Sequence, residues 1–105
     1  MEMLNKVELV GIVGQVRKTE IGGDLTGVNF SLAVNLAFKD NDGTRVIETT
    51  WVPCVAFVKP GNETPAKGDR IRVKGRLRAR RYTYINGAEH SGLNVFVNSF
   101  EVSGR

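Results

Sequence analysis

The fold is decided by one stretch of the chain: Arg70-Ile71-Arg72-Val73-Lys74-Gly75-Arg76-Leu77-Arg78-Ala79-Arg80-Arg81. Cations alternate in it with apolar or small residues, which is the period of a β-strand with two different faces. The cations cannot point into a core, because burying charges without partners is prohibitively costly. The pattern therefore predicts a strand over 69–83 with one face buried and the other cationic.

Similar alternation recurs on both sides of this strand. Turn signals at Gly22-Gly23, Asn41-Asp42-Gly43 and Asn86-Gly87 separate strands predicted at about 4–16, 28–39, 45–58 and 93–102. Glycines inside the first strand indicate the bend or bulge that a curved barrel strand needs. Residues 1–105 are thus predicted to be one all-β domain, a five-stranded Greek-key OB-fold barrel with extended hairpins, although the pattern also permits an SH3-like barrel.

The charge is concentrated in the fourth strand. Seven cations and no acid lie between Arg70 and Arg81, and the remaining 8 Lys and Arg face 11 Asp and Glu, so the rest of the chain carries −3. Such a concentration is typical of a surface that binds a polyanion. The alternative is a solvated strand face, or a sheet edge charged against aggregation.

Aromatic residues supply the second functional signal. Trp51 and Phe57 are six residues apart and share a face of the third strand, and Tyr82 continues the cationic face. Aromatics beside cations give the stacking and phosphate attraction of sequence-tolerant single-strand binding, whereas the alternative is that Trp51 and Phe57 are core residues. Phe38 has the parity of the buried face of the second strand, so it would face outward only if a bulge near Ala37 reversed that parity.

Catalytic and metal sites find little support. The chain has one cysteine, Cys54, and one histidine, His90, and no phosphate loop, paired-carboxylate motif or metal-ligand spacing. We expect no enzyme, no cofactor, no metal and no small-molecule substrate, with Cys54 a buried apolar residue. No apolar run approaches bilayer length and no signal peptide is evident, so we expect no membrane association and a cytoplasmic, nucleoid-associated protein.

Four segments resemble the bacterial single-stranded-DNA-binding protein family, in order and over nearly the whole chain. They are Leu4-Asn5-Lys6-Val7-Glu8-Leu9-Val10-Gly11, Val28-Asn29-Phe30-Ser31-Leu32-Ala33-Val34-Asn35, Glu48-Thr49-Thr50-Trp51 with Val55-Ala56-Phe57, and Gly68-Asp69-Arg70-Ile71-Arg72-Val73-Lys74-Gly75-Arg76-Leu77-Arg78-Ala79-Arg80-Arg81-Tyr82-Thr83.

The resemblance implies a non-enzymatic, homo-oligomeric OB-fold protein that binds single-stranded DNA in replication, recombination or repair. By position, the family's stacking residues fall on Phe38, Trp51, Phe57 and Tyr82, which also favours the bulge that would turn Phe38 outward. The expected phosphate-binding residues are the cations Arg70, Arg72, Lys74, Arg76, Arg78, Arg80, Arg81, Lys39 and Lys59.

Three departures from the family pattern qualify these expectations. A Pro- and Gly-rich segment, residues 59–68, replaces the family's helix after the third strand. No acidic, hydrophobic tail follows the fifth strand, so recruitment of replication proteins through such a tail is not expected. Arg70, Arg72 and Lys74 would repel their symmetry mates in the family's tetramer contact, which favours a dimer.

Two other functions share these features. One is an assembly factor like the primosomal replication protein, which would bind DNA weakly and dock a helicase or its loader. The other is an RNA-binding OB module of cold-shock type.

Overall fold

The computed structural model describes residues 2–83 and 85–104, and the side chains of all of these except 81–83 and 89–91. It contains five strands: β1 (Val7–Glu20), β2 (Thr26–Lys39), β3 (Arg45–Val58), β4 (Arg70–Thr83) and β5 (Glu89–Gly104). No helix that could span a membrane occurs in the described part of the chain.

The five strands close into a barrel in the order β1-β2-β3-β5-β4. β2–β3 and β4–β5 are antiparallel hairpins, and β3 pairs in parallel with β5 at Cys54 and Val55. This confirms the all-β, five-stranded barrel with extended hairpins that the alternation predicts. The segment between Val58 and Arg70 contains turns and no helix, as its prolines and glycines indicate.

β1 is shared between two neighbours, which is how the barrel closes. Its first half, from Val7 to Ile12, pairs with β4, and its second half, from Ile12 to Glu20, pairs with β2 around a register shift between Val13 and Val16. Gly11 lies at the crossing, where a Cβ would clash with the carbonyl of Ala33. The bend predicted from the glycines of β1 is therefore present.

The core lies inside the barrel and takes alternate residues from β2, β3, β4 and β5, and Val13 from β1. Its buried members are Val13, Val28, Phe30, Leu32, Cys54, Ala56, Val58, Ile71, Val73, Val95 and Val97. The period-two pattern assigned the inward faces of β2 and β4 correctly and left that of β3 open.

Both hairpins run past the barrel. The radius of gyration is 16.1 Å, against about 13 Å for an ordinary domain of this length. Consequently Leu36 in β2 and Leu77 in β4 have the parity of core residues but are exposed.

The bulge proposed near Ala37 is wrong. β2 and β3 pair without a register shift from Thr26 opposite Val58 to Lys39 opposite Arg45. Phe38 is nevertheless 41% exposed, because the β2–β3 hairpin carries it beyond the end of the barrel.

The strand bounds differ from the prediction mainly at β1 and β5. β1 begins at Val7 and continues to Glu20, because its polar last residues pair with the start of β2. β5 begins at Glu89, because the far end of β4 pairs with it up to Thr83. Backbone pairing in both places extends strands whose side chains lack the alternation.

Candidate nucleic-acid interface

The cations of β4 form one exposed row, called here the basic face: Arg70, Arg72, Lys74, Arg76, Arg78 and Arg80. They point outward because their neighbours Ile71 and Val73 point into the core. Lys39 and Lys59 are also exposed, whereas the side chain of Arg81 lies outside the described residues.

An acidic residue of β1 lies beside the start of the basic face. Near its start, Glu8 of β1 lies 3.4 Å from Arg72 and 3.8 Å from Lys74. These pairs are exposed, so each contributes little to stability. They do offset part of the repulsion that was expected between symmetry mates at this end of β4.

Trp51 lies on the outward face of β3, opposite Ala33 of β2, and is 60% exposed. Its ring covers Gly14 so closely that a Cβ there would stand 2.6 Å from the ring carbon Cζ3. The expected alternative, a core position for Trp51, is therefore wrong. The missing side chain at Gly14 lets the indole lie against the sheet.

Phe57 lies six residues along the same outward face and is 43% exposed. Its ring centroid is 5.5 Å from that of Phe96 in β5, and the two planes are inclined by 44°. The guanidinium carbons of Arg76 and Arg78 lie 4.6 Å and 5.1 Å from the centroid of Phe96. Aromatic rings and cations thus meet in one cluster, and Phe57 too is outside the core.

An open cleft of about 820 Å³ is lined by Gln15, Val16, Arg17, Thr19, Asn29, Phe30, Ser31, Pro53, Cys54, Lys67, Arg80 and Asn94. Ser31 of this lining and Trp51 both lie against Gly14, so one end of the cleft is near Trp51. Among the described residues, Asn94 Oδ1 is buried without a hydrogen-bond partner. An unsatisfied acceptor in a polar cleft is a group that a ligand can satisfy.

The four predicted stacking residues do not form one surface. Trp51 and Phe57 share the outward face of β3, whereas Phe38 lies on the opposite face of the β2–β3 hairpin, across from Val46. Tyr82 is in β4 opposite His90, but its side chain lies outside the described residues.

Cys54 is buried and is not a reactive thiol. Only 2% of it is exposed, and burial raises its pKa to about 12. The thiol stays protonated at neutral pH, and the thiolate is the form that attacks electrophiles and binds metals. Among the side chains that the structure describes, no three of His, Cys, Asp or Glu come together in a way that could hold a metal ion.

The model of the single-strand binding protein family matches residues 4–103. The chain belongs to this family. The match covers every strand of the barrel, and it confirms the resemblance read from the four segments.

Curated members of the family align with nearly the whole chain. The single-stranded DNA-binding protein of Xanthomonas axonopodis pv. citri is 35% identical over 96% of this chain and 58% of its own length. That of Neisseria meningitidis serogroup A is 29% identical over 96% of this chain and 60% of its own length. The chain therefore spans about three fifths of the length of these two relatives.

Solved structures of the family share the barrel. The Plasmodium falciparum SSB in complex with ssDNA superposes with a TM-score of 0.80 at 25% identity, over all of this chain and 97% of that one. A deletion mutant of the Thermus aquaticus single-stranded DNA binding protein gives 0.74 at 22% identity, over 95% of this chain and 50% of that one. The OB-fold expected from the sequence is thus confirmed over the SH3-like alternative.

Phe96 is a residue of the aromatic and cationic cluster that sequence reasoning missed. It stands between Val95 and Val97, so the strand reads as a continuous apolar run. Both valines are buried, and alternation around them would have placed Phe96 outward. The outward position of Phe96 could have been predicted only if Val95 and Val97 had first been recognised as the inward residues of β5.

Proposed function

We propose that this chain binds single-stranded DNA with little sequence preference, and that it protects the strand in replication, recombination or repair without acting on it chemically. The observation that carries the proposal is the exposed pair Trp51 and Phe57 on a barrel face that continues into the basic face. Stacking on aromatic side chains contributes about 1–3 kcal/mol per base and tolerates any base, because every base has a π-face.

The relatives support the same assignment. Those quoted above are named for single-stranded DNA binding, and one of the similar structures is a complex with ssDNA. The relatives give no support to the assembly-factor alternative, because none of them is named for such a role. We also propose that the chain forms a homo-oligomer, as the family resemblance implies.

The residue roles follow from exposure and charge. We propose that Trp51 and Phe57 stack with bases, that Tyr82 and Phe38 extend the stacking, and that the basic face contacts phosphates together with Arg81, Lys39 and Lys59. We add Arg17 and Lys67 to the proposed phosphate contacts, because they line the same cleft as Arg80 of the basic face.

The test is a titration with oligo-dT that follows the fluorescence of Trp51, the only tryptophan in the chain. We expect strong quenching by the single strand, little response to a duplex of equal length, and protection of Trp51 from acrylamide in the complex. The logarithm of the affinity should fall with the logarithm of the salt concentration by about 0.7 for each phosphate neutralised.

Two results would contradict the proposal. One is an equal response to duplex and single strand, and the other is an affinity that does not change with salt. Competition between matched DNA and RNA oligonucleotides separates a DNA protein from the RNA-binding alternative, and a preference for RNA would transfer the proposal to RNA.

A further inference from the structure

Phe96 is placed so that it contacts three residues of the interface at once. It lies directly opposite Arg76 in the β4–β5 ladder, and Arg78 is the diagonal neighbour on the same outward face. Both guanidinium carbons lie within 5.1 Å of its ring centroid, and the ring of Phe57 lies at 5.5 Å.

The two arginines would not adopt this arrangement by themselves. Residues two apart on one strand face are neighbours, so like charges at these positions repel each other, and long arginine side chains have many rotamers. The negative face of an aromatic ring attracts a cation, and here one ring attracts two. Phe57, packed against Phe96 on the side of β3, restricts where that ring can lie.

We propose that Phe96 is a positioning residue, which holds the guanidinium groups of Arg76 and Arg78 and the ring of Phe57 ready for a nucleic-acid strand. This inference rests on the proposed function and assigns a role to a residue outside the stacking and phosphate contacts named above. Phe57 is the more exposed of the two rings and meets the base, while Arg76 and Arg78 meet phosphates.

Holding the groups in advance increases affinity because less side-chain freedom is lost on binding. The expected signature is therefore specific. Removing the ring weakens binding without removing any charge, so the number of counterions released stays the same. Removing an arginine changes that number.

The variants are Phe96→Leu, which removes the ring, and Phe96→Tyr, which keeps it. Phe100→Leu is the matched control, because Phe100 is in the same strand but packs against the core. We expect Phe96→Leu to weaken oligo-dT binding about three- to tenfold, with the salt slope of the wild type. Phe96→Tyr should bind like the wild type, and Phe100→Leu should lose thermal stability but not affinity.

A double-mutant cycle distinguishes positioning from direct contact. In the background Arg76→Gln/Arg78→Gln, Phe96→Leu should cost less affinity than in the wild type, because the cations are absent and only the ring of Phe57 is left for Phe96 to hold. An equal loss in both backgrounds would show that Phe96 itself contacts the strand, and would overturn the inference.

A measurement on the free protein separates this inference from the proposed function. The side-chain Nε–Hε resonances of Arg76 and Arg78 should be shifted by the ring of Phe96 and should return to ordinary positions in Phe96→Leu. Unshifted resonances in the wild type would overturn the inference. If the shifts are present but the wild type does not bind single strands, the proposed function fails while the arrangement of the cluster stands.

Discussion

At the scale of single residues, the position of Trp51 depends on the residue beneath it. Gly14 follows Val13, within the register shift of the β1–β2 pairing, and it leaves room for the indole ring. An indole lying against the sheet presents its other face to solvent, which is the geometry that stacking on a base requires.

Gly14→Ala tests this dependence. The new methyl group would stand 2.6 Å from both the Trp51 ring and Ser31 Oγ, so the ring has to move away from the sheet. We expect a shifted Trp51 emission maximum and roughly three- to tenfold weaker oligo-dT binding, part of the value of one stacked base. Steady-state fluorescence and the same titration measure both effects.

Gly92→Ala is the control for this substitution. Gly92 is also in a β-strand, but nothing lies within 4 Å of a Cβ built there. Its emission and affinity should match the wild type. If Gly14→Ala has the fluorescence and affinity of the wild type, the position of the Trp51 ring does not depend on Gly14.

Sequence reasoning identified the outward residues where the alternation is regular. It placed the basic face correctly and left Trp51 and Phe57 open between core and surface. Which of the two applies depends on the inward parity of β3, set by its pairing with β2 along the whole hairpin. The roles of Phe96 and Gly14 depend on contacts with residues of other strands. The alternation within one strand does not reveal such contacts.

At the scale of elements, the β2–β3 hairpin shows that two residues on the same face of a strand can differ in burial. Phe30 and Phe38 lie on the same face of β2, eight residues apart, yet Phe30 is buried and Phe38 is exposed. The predicted parity of Phe38 was right, and the bulge was needed only on the assumption that this face is buried along its whole length. Strand length beyond the barrel is what the alternation could not reveal.

The variants Phe38→Ala and Phe30→Ala test this difference in burial. Phe30→Ala removes a core side chain and should lower the free energy of unfolding by about 3–5 kcal/mol. Phe38→Ala should lower it by less than about 1 kcal/mol, because an exposed side chain leaves no cavity. It should also weaken oligo-dT binding, since we propose that Phe38 extends the stacking.

Denaturant unfolding and titration measure the two effects on each variant. An equal loss of stability in both variants would mean that Phe38 packs against something, and unchanged affinity in Phe38→Ala would remove it from the proposed stacking residues.

At the scale of the whole molecule, the proposed functions require the basic face to serve both DNA binding and self-association. The family resemblance places the start of β4 at a contact between subunits, where its cations face their symmetry mates. Glu8 offsets part of the charge of Arg72 and Lys74 within the same subunit.

Glu8→Gln should therefore weaken self-association. Removing the carboxylate leaves two cations uncompensated in each subunit, and the effect should be largest at low ionic strength, where screening is weakest. Sedimentation velocity over a range of concentrations gives the measurement. Glu48→Gln makes the same charge change at an exposed position of β3, remote from the start of β4, and should leave association unchanged.

If Glu8→Gln associates as strongly as the wild type, the start of β4 does not lie between subunits. The fold itself could be predicted at this scale, because hairpin signals and alternation fix five strands and two of their pairings. The number of subunits could not, since it depends on which exposed faces meet.

The division of β1 between two partners also has a consequence for synthesis. Residues 12–20 can pair as soon as β2 leaves the ribosome, whereas residues 7–12 need β4, which is made about sixty residues later. At roughly 5–20 residues per second, that half of β1 waits several seconds while Val7 and Leu9, which pack against the core in the folded protein, stay unprotected. The nascent chain thus carries an open strand edge until β4 arrives, and this interval is when chaperone binding would matter most.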